Sequence, residues 1–294
     1  MQEAIGKAQT LIEALGYIQR FSDKIVVIKM GGSVMDDPNA IRDILTDVVF
    51  MNTVGMRPVI VHGGGKAISK AMEESGLEVQ FVQGRRYTDQ RSLNVVEHVL
   101  CNQINAHLVE TIEQLGSSAM GLNTLASSVL FGEKLFLLQD DRKIDLGLVG
   151  QVTGVNARLI QLLCQADTIP VIAPLARDRT GAKLNCNADS AAGQVAAALK
   201  AEKFVLVSDT HGIRAHPDDP ESVISSCSRE EIHQLIADGT ISGGMLPKVD
   251  ACLKALEGGV NRTHIIDGRF AHSLLLEIFS QQGVGTLIQK QTDS

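Results

Sequence analysis

With 294 residues, 44% of them apolar and 21% charged, the chain is too hydrophobic to be disordered and long enough for one large α/β domain or two lobes around a cleft. A net charge of −7 with no basic run argues against a nucleic-acid surface, so any anionic ligand must be met by local cations. Five scattered cysteines without C-x-x-C pairing suit reduced thiols in a cytoplasmic protein; no apolar stretch reaches membrane-spanning length, and no signal-peptide pattern opens the chain.

Residues 1–22 carry Ile5, Ala8, Leu11, Ile12, Leu15 and Ile18 at close to helical spacing, with a kink expected at Gly16 and Tyr17. This arm reads either as a helix laid over its own domain or, given its long apolar face, as an oligomerisation element. Ile25 to Ile28 is the apolar run of a strand buried on both faces, and it leads into Lys29, Met30, Gly31 and Gly32. Lacking Cβ atoms, the two glycines let backbone N–H groups approach a phosphate. A helix opening at Pro38 behind an Asp37 cap adds its dipole, and Lys29 adds a cation. The spacing fits neither G-x-x-x-x-G-K-[ST] nor G-x-G-x-x-G, which argues against a P-loop and a dinucleotide-binding fold.

A second strand over 58–62 ends in Gly63, Gly64 and Gly65 before a helix over 66–76. Two such turns in a βαβ pattern put two helix N-termini at one edge of a parallel sheet, an arrangement for handling anions. His62, with no second ligand at metal-binding spacing, reads as a hydrogen-bonded structural residue. Arg85 and Arg86 follow Gly84; Arg85 reads as a surface residue and Arg86 as a fork for a carboxylate, ahead of one long helix over 89–115. Residues 126–155 alternate short β runs with turns, as hairpins do, with Asp140 and Asp141 in an exposed loop.

A helix over 156–165 and a strand over 169–174 lead to Asn185, Asn187 and Asp189 at a strand–helix turn. Alternation sets the two asparagines on one face. Asp189 is either a capping or dipole residue or part of a ligand site, and the density of polar residues favours the second. The strand over 204–209 ends in the polar turn Ser208, Asp209, Thr210, His211, Gly212. Residues 214–227 read as a loop, and Ser228 with Glu231 as a capping box. Lys248 follows Gly243 and Gly244 into another helix. A strand over 263–267, a helix over 273–281 and an edge strand over 285–288 complete the pattern.

Together, Lys29, Gly31, Gly32, Gly64, Gly65, Asn185, Asp189 and Lys248 resemble the amino acid kinase family, with the pieces in family order from the first strand onward. The stretches V-I-K-M-G-G-S, V-H-G-G-G, G-R-R-Y-T-D, N-C-N-A-D-S-A-A-G and G-G-M-L-P-K-V are similar to its branch that phosphorylates N-acetyl-L-glutamate. The resemblance implies an α/β fold, a three-layer αβα sandwich around a largely parallel open sheet. It divides the chain into an N-terminal helical arm (1–22), an amino-acid-substrate lobe (23–190) and a nucleotide-binding lobe (191–294).

The implied activity is that of a phosphotransferase with a carboxyl acceptor, making N-acetylglutamyl phosphate from ATP and the γ-carboxylate of N-acetyl-L-glutamate, the second step of arginine biosynthesis. That carboxylate is ionised at pH 7, so alignment and charge stabilisation suffice without a general base. On this reading Lys29 and Lys248 flank the transferring group and Asp189 positions both ammoniums. Gly31, Gly32, Gly64 and Gly65 bind phosphate, the last two also lying at the substrate. Arg86 grips the α-carboxylate, Asn185 takes neighbouring polar groups, and Ser208, Asp209, Gly212 and Lys248 serve the nucleotide. Mg2+ rides on ATP phosphates and water, with no protein ligand expected.

The arm and the stretch from His264 to Glu277 resemble the arginine-inhibited branch, in which arms interlace dimers into a hexameric ring. This implies a homo-oligomer, arginine as inhibitor near Tyr17, Lys203, Glu277 and Gly283, and a nitrogen-signalling protein as a further partner. Two alternatives stay open: a sister kinase acting on a carrier-bound aminoadipate, and a non-catalytic arginine-sensing protein, which would have no need of both lysines and Asp189.

Overall fold

The computed structural model describes residues 2–125, 127–139, 142–216, 219, 221–279 and 283–290. Helix α1 (Gln2–Phe21) runs unbroken through Gly16 and Tyr17, so the expected kink is absent. A lone glycine inside a helix costs about 1 kcal/mol but leaves the hydrogen-bond ladder intact. Strand β1 (Ile25–Met30) leads to α2 (Pro38–Thr53), where Asp37 accepts the Asn39 N–H at 2.9 Å and proline opens the first turn, as expected. Strand β2 (Arg57–His62) and α3 (Gly65–Glu74) repeat the pattern.

A small hairpin follows, β3 (Phe81–Val82) and β4 (Arg85–Arg86), joined by Gln83 and Gly84, both at positive φ as a two-residue turn requires. The helix expected over 89–115 is present in three parts. These are α4 (Gln90–Glu97), a π-helical segment (His98–Asn105) and α5 (Ala106–Gln114), all following an Asp89 cap. Next come β5 (Ser118–Leu122), β6 (Leu130–Gln139) and β7 (Arg142–Val155). The last two form one long hairpin with bulges where several short runs were expected; Asp140 and Asp141 lie outside the described residues.

Helix α6 (Ala157–Gln165), β8 (Thr168–Ile172), β9 (Leu175–Arg177) and β10 (Lys183–Cys186) precede α7 (Ala188–Leu199). The lobe boundary expected after residue 190 falls inside α7. Strand β11 (Lys203–Ser208), β12 (Ser226–Ser228), α8 (Arg229–Ala237), α9 (Leu246–Glu257), β13 (Arg262–Asp267), α10 (Ser273–Phe279) and β14 (Thr286–Gln289) follow. Both halves of the Ser228–Glu231 capping box are made.

The main sheet has eight strands in the order β12-β14-β13-β11-β1-β2-β8-β5, parallel throughout except for the β13–β14 pair. Strand β14 is therefore internal. The segment expected as a polar loop supplies β12 as the edge, so β14 is paired on both sides. Strands β10, β7, β6 and β9 close into a second, smaller ring. Among the described residues no helix is long and apolar enough to cross a membrane.

Strand parity builds the layers. Val27, Phe204 and Leu206 point into the core under α7 and α9, whereas Val26, Ile28, Met30 and Val205 point into the core under α2 and α5. This is the αβα sandwich the resemblance implied. Lys29 shares parity with Val27, so the strand delivers its side chain to the α7 face. Helices α7 and α9 cross there with almost no side chain between them: a Cβ on Gly193 would lie 2.8 Å from the Ala251 carbonyl oxygen. Since α7 carries Asp189 and α9 carries Lys248, this crossing sets the relation between the two charges. Replacing Gly193 by leucine should force the helices apart and cost about 1–3 kcal/mol of stability by overpacking, read as a lower urea-unfolding midpoint.

Candidate active site

Lys29 is 6% exposed and stands one residue before the end of β1, with Val61 of β2 and Leu206 of β11 as register neighbours. Its Nζ lies 2.8 Å from Oδ1 of Asp189, which is also 6% exposed, as an ion pair rather than a well-aligned hydrogen bond. Asp189 sits in the first turn of α7, but the cap is Asn187, whose side chain accepts the Ser190 N–H at 2.9 Å. Asp189 is therefore not the cap of α7, and its carboxylate pairs with the lysine. Burial alone would raise its pKa, yet the charges of Lys29 and, more weakly, Lys248 outweigh burial and hold it below the ordinary carboxylate value.

Gly31 is what lets the lysine fold over the turn, because a Cβ there would collide with Lys29 Nζ. Gly32 is at φ +68°, and a Cβ would meet the Asp209 carboxyl group at 3.1 Å. The second glycine turn faces the first across a cleft of about 220 Å³. Arg86, 7% exposed, reaches over it from β4. Its Nη2 donates to the Gly65 carbonyl at 2.9 Å and to Ser69 Oγ at 2.8 Å, and the Phe81 ring lies 4.7 Å from the guanidinium carbon.

Among the described residues no carboxylate pairs with Arg86, and burial lowers its pKa without an acid to offset it. A buried cation lacking a counterion carries a desolvation cost that an anion placed beside it would offset. Arg85, expected at the surface, is half-buried and lines the same cleft. Asn185 and Asn187 also line it, and Asn185 Nδ2 donates to Thr88 Oγ1 at 3.1 Å. Phe81 and Ser69 carried no signal in the sequence, and Thr88 only as part of G-R-R-Y-T-D, since each matters through a partner distant along the chain. The Cys186 thiol borders the cleft, but burial pushes its pKa up to about 12, which leaves it inert as a nucleophile.

The other predicted residues lie further out. Lys248 is half-buried in the first turn of α9 and acts on Asp189 by its charge, without a direct ion pair. Ser208 ends β11 fully buried, donating to Asp209 Oδ1 at 3.3 Å. Gly212 is at φ +127°, and a Cβ there would strike Thr286, whose Oγ1 accepts the Ile213 N–H. It is a packing glycine between the turn and β14. His211 Nδ1 lies 3.2 Å from the buried Asp267 carboxylate.

Tyr17, Lys203, Glu277 and Gly283 gather elsewhere. Lys203 opens β11 and Ser208 closes it, so this cluster lies at the opposite end of that strand from the polar turn. Lys203 Nζ sits 4.9 Å from the Phe21 ring, and desolvation pulls its pKa down to about 8 despite the Glu277 charge. Glu277 accepts from His264 Nδ1 at 2.6 Å and from the Val284 N–H at 2.7 Å. Its pKa is lowered: burial opposes this, but His264, Val284 and Lys203 prevail. A Cβ on Gly283 would approach that carboxylate to 2.9 Å, and Tyr17 stacks edge-on against Phe279 at 6.1 Å.

Residues 24–267 match the model of the amino acid kinase family, and the chain belongs to that family. Within it the chain falls among the acetylglutamate kinases. It is 46% identical over 289 residues (98% of this chain, 95% of the relative) to an acetylglutamate kinase of Thermoanaerobacter pseudethanolicus. It is 43% identical over 291 residues (99% of this chain, 100% of the relative) to one of Halothermothrix orenii. In three dimensions it is similar to an N-acetylglutamate synthase from Neisseria gonorrhoeae, with a TM-score of 0.85 over 97% of this chain at 22% identity, a likeness of fold. The chain spans 64% of that longer protein.

The Lys29–Asp189 pair carries a pH signature. With Lys29 present the folded-state pKa of Asp189 is depressed, so its contribution to stability is complete above about pH 4 and is lost as pH falls through the folded value. In Lys29→Met the nearer charge is gone and burial raises that pKa above the unfolded value. The contribution then holds below about pH 4 and is lost as pH rises. Urea-unfolding midpoints measured from about pH 4 to about pH 8 should fall with rising pH in the variant relative to the parent; parallel profiles would mean the pair is uncoupled.

Proposed function

We propose that the chain transfers the γ-phosphoryl group of ATP to the γ-carboxylate of N-acetyl-L-glutamate, giving N-acetylglutamyl phosphate in arginine biosynthesis. The observation that carries this reading is the buried Lys29–Asp189 pair standing between two glycine turns, with the uncompensated Arg86 across the cleft. Arg86 holds the substrate's α-carboxylate and Asn185 its polar neighbours. The γ-carboxylate then attacks the γ-phosphorus; the new O–P bond forms as the bridging P–O bond breaks, and the electron pair leaves on the terminal oxygen of ADP. The nucleophile is already an anion, so no proton needs removal.

Lys29 and Lys248 neutralise charge spread over the equatorial oxygens, and Asp189 keeps both ammoniums oriented toward them. The N–H groups of the turns at Gly31–Gly32 and Gly64–Gly65 supply preorganised donors. The nucleotide lies toward Ser208, Asp209 and Lys248; Gly212 shapes that turn from behind. Residues 23–190 serve mainly the amino-acid substrate and 191–294 the nucleotide, with α7 spanning the division. Among the described residues no group of three His, Cys, Asp or Glu side chains could hold a metal. Mg2+ would enter as part of MgATP, held chiefly by the ATP phosphates and water, and would offset phosphate charge there.

The remote cluster is the basis for regulation. Glu277 is chemically suited to an arginine guanidinium, with Tyr17, Lys203 and Gly283 around it. The exposed apolar side chains Ile5, Ile12 and Leu15 of α1 suit an arm that joins dimers into a cytoplasmic hexamer, on which a nitrogen-signalling protein docks. Acyl phosphate trapped with hydroxylamine should form from ATP and N-acetylglutamate, not from glutamate, aspartate or aminoadipate, and should diminish when arginine is added. Lys29→Ala should lose about 2–4 kcal/mol of transition-state stabilisation, roughly thirty- to a thousandfold in kcat. Near-parental turnover in that variant would remove Lys29 from the phosphoryl site.

A further inference from the structure

Behind the second glycine turn runs a buried polar chain that none of the steps above uses. His62 is fully buried, with Nδ1 3.1 Å from its neighbour's carbonyl oxygen at Gly63 and Nε2 3.1 Å from Asn105 Nδ2. The same amide nitrogen of Asn105 donates to the Val171 carbonyl at 2.9 Å, and Asn105 Oδ1 accepts from Asn123 at 3.3 Å. One tautomer satisfies every partner: Nδ1–H donates to Gly63 and Nε2 accepts from Asn105. The Gly63 N–H in turn donates to the Met30 carbonyl at 2.7 Å, beside Lys29 and Gly31. Hydrogen bonds therefore run from β8 through Asn105 and His62 to the end of β1.

Asn105 reaches this position at the end of the π-helical segment, a rare helix form that is frequent at functional sites. The same segment sets Ile104 and Leu100 against Gly64, where a Cβ would approach their methyl carbons to 2.6 and 2.9 Å. Opposite, a Cβ on Gly121 would collide with Asn105 Oδ1, so the strand leaves room for the amide. Across a trans peptide the carbonyl of one residue and the N–H of the next point in opposite directions. Pinning the Gly63 carbonyl on His62 thus fixes the direction of the Gly64 N–H. That N–H takes no protein acceptor among the described residues, and Gly64 lines the cleft.

We propose that His62 and Asn105 are positioning residues for phosphoryl transfer, locking the Gly63–Gly64 peptide plane so that the Gly64 N–H is presented to a phosphoryl oxygen. This rests on the kinase reading above. The test compares His62→Leu, Asn105→Leu and the double variant with His62→Gln, whose amide can donate to Gly63 and accept from Asn105. Initial rates with MgATP and N-acetylglutamate are taken well below each variant's unfolding midpoint.

Each leucine variant should lose about ten- to a hundredfold in kcat, with KM for both substrates within about threefold of the parent. The double variant should lose no more than the worse single one, and His62→Gln should return to within about threefold of the parent. Leucine variants with kcat within about threefold of the parent, losses that multiply in the double variant, or losses confined to KM would overturn the proposal. A milder substitution with a readout free of activity keeps the test decisive where the leucine variants fail to fold. With glycine-selective nitrogen labelling, Asn105→Ser should move the Gly64 amide resonance more than those of Gly31 and Gly32. An unmoved Gly64 resonance refutes the positioning role. A parent chain inactive on N-acetylglutamate instead refutes the kinase reading, with the resonance test still deciding the other question.

Discussion

A lysine and an aspartate, both nearly sealed from water, face each other across the boundary between a strand and a helix, and much of the molecule is arranged to keep them there. Removing either partner from such a pair strands a buried charge at a cost of about 3–5 kcal/mol, so the surrounding structure has to be rigid enough to hold both. Strand parity gives one half of the answer by sending Lys29 to the α7 face. The helix gives the other half: Asn187 closes its N-terminus, which leaves Asp189 free for the lysine while the helix dipole still favours its negative charge.

Strand β11 links two chemically distinct places. At its start lie Lys203, Phe21 and Glu277; at its end lie Ser208 and Asp209, the latter against Gly32. The strand pairs with β1 along the same stretch that carries Lys29, Lys29 lying opposite Leu206. The far end of the strand thus borders the glycine turn that follows Lys29. The path is short, covalent and built of fully buried residues, so a displacement at one end has little soft material in which to dissipate.

The sequence made some of this plain and hid the rest for identifiable reasons. Lys29, the paired glycine turns, the Asn185–Asp189 cluster and the caps at Asp37 and Ser228 could be read because each is a short-range pattern with a local physical cause. The hairpin holding Arg86, the edge strand β12 and the strand β5 were missed, since two- and three-residue strands have no period and Ser118–Leu122 lacks a β-branched run. The internal place of β14 depended on which distant segment would pair with it. The π-helical segment was silent as well: its apolar spacing is that of an ordinary helix, and only its contacts with His62 and Gly64 reveal the difference. Gly212 was readable as a turn glycine, but its neighbour Thr286, far along the chain, decides which way it faces.

Gly31 illustrates how a constraint can pass from one residue to another. Glycine at such a turn is readily taken as room for a ligand, yet here the space a side chain would occupy is already filled by the Lys29 ammonium. The two positions are thereby sterically coupled. Exchanging the lysine for a short side chain would free position 31 to accept alanine, and a lysine restored beside that alanine would have to carry its ammonium along a different path to Asp189.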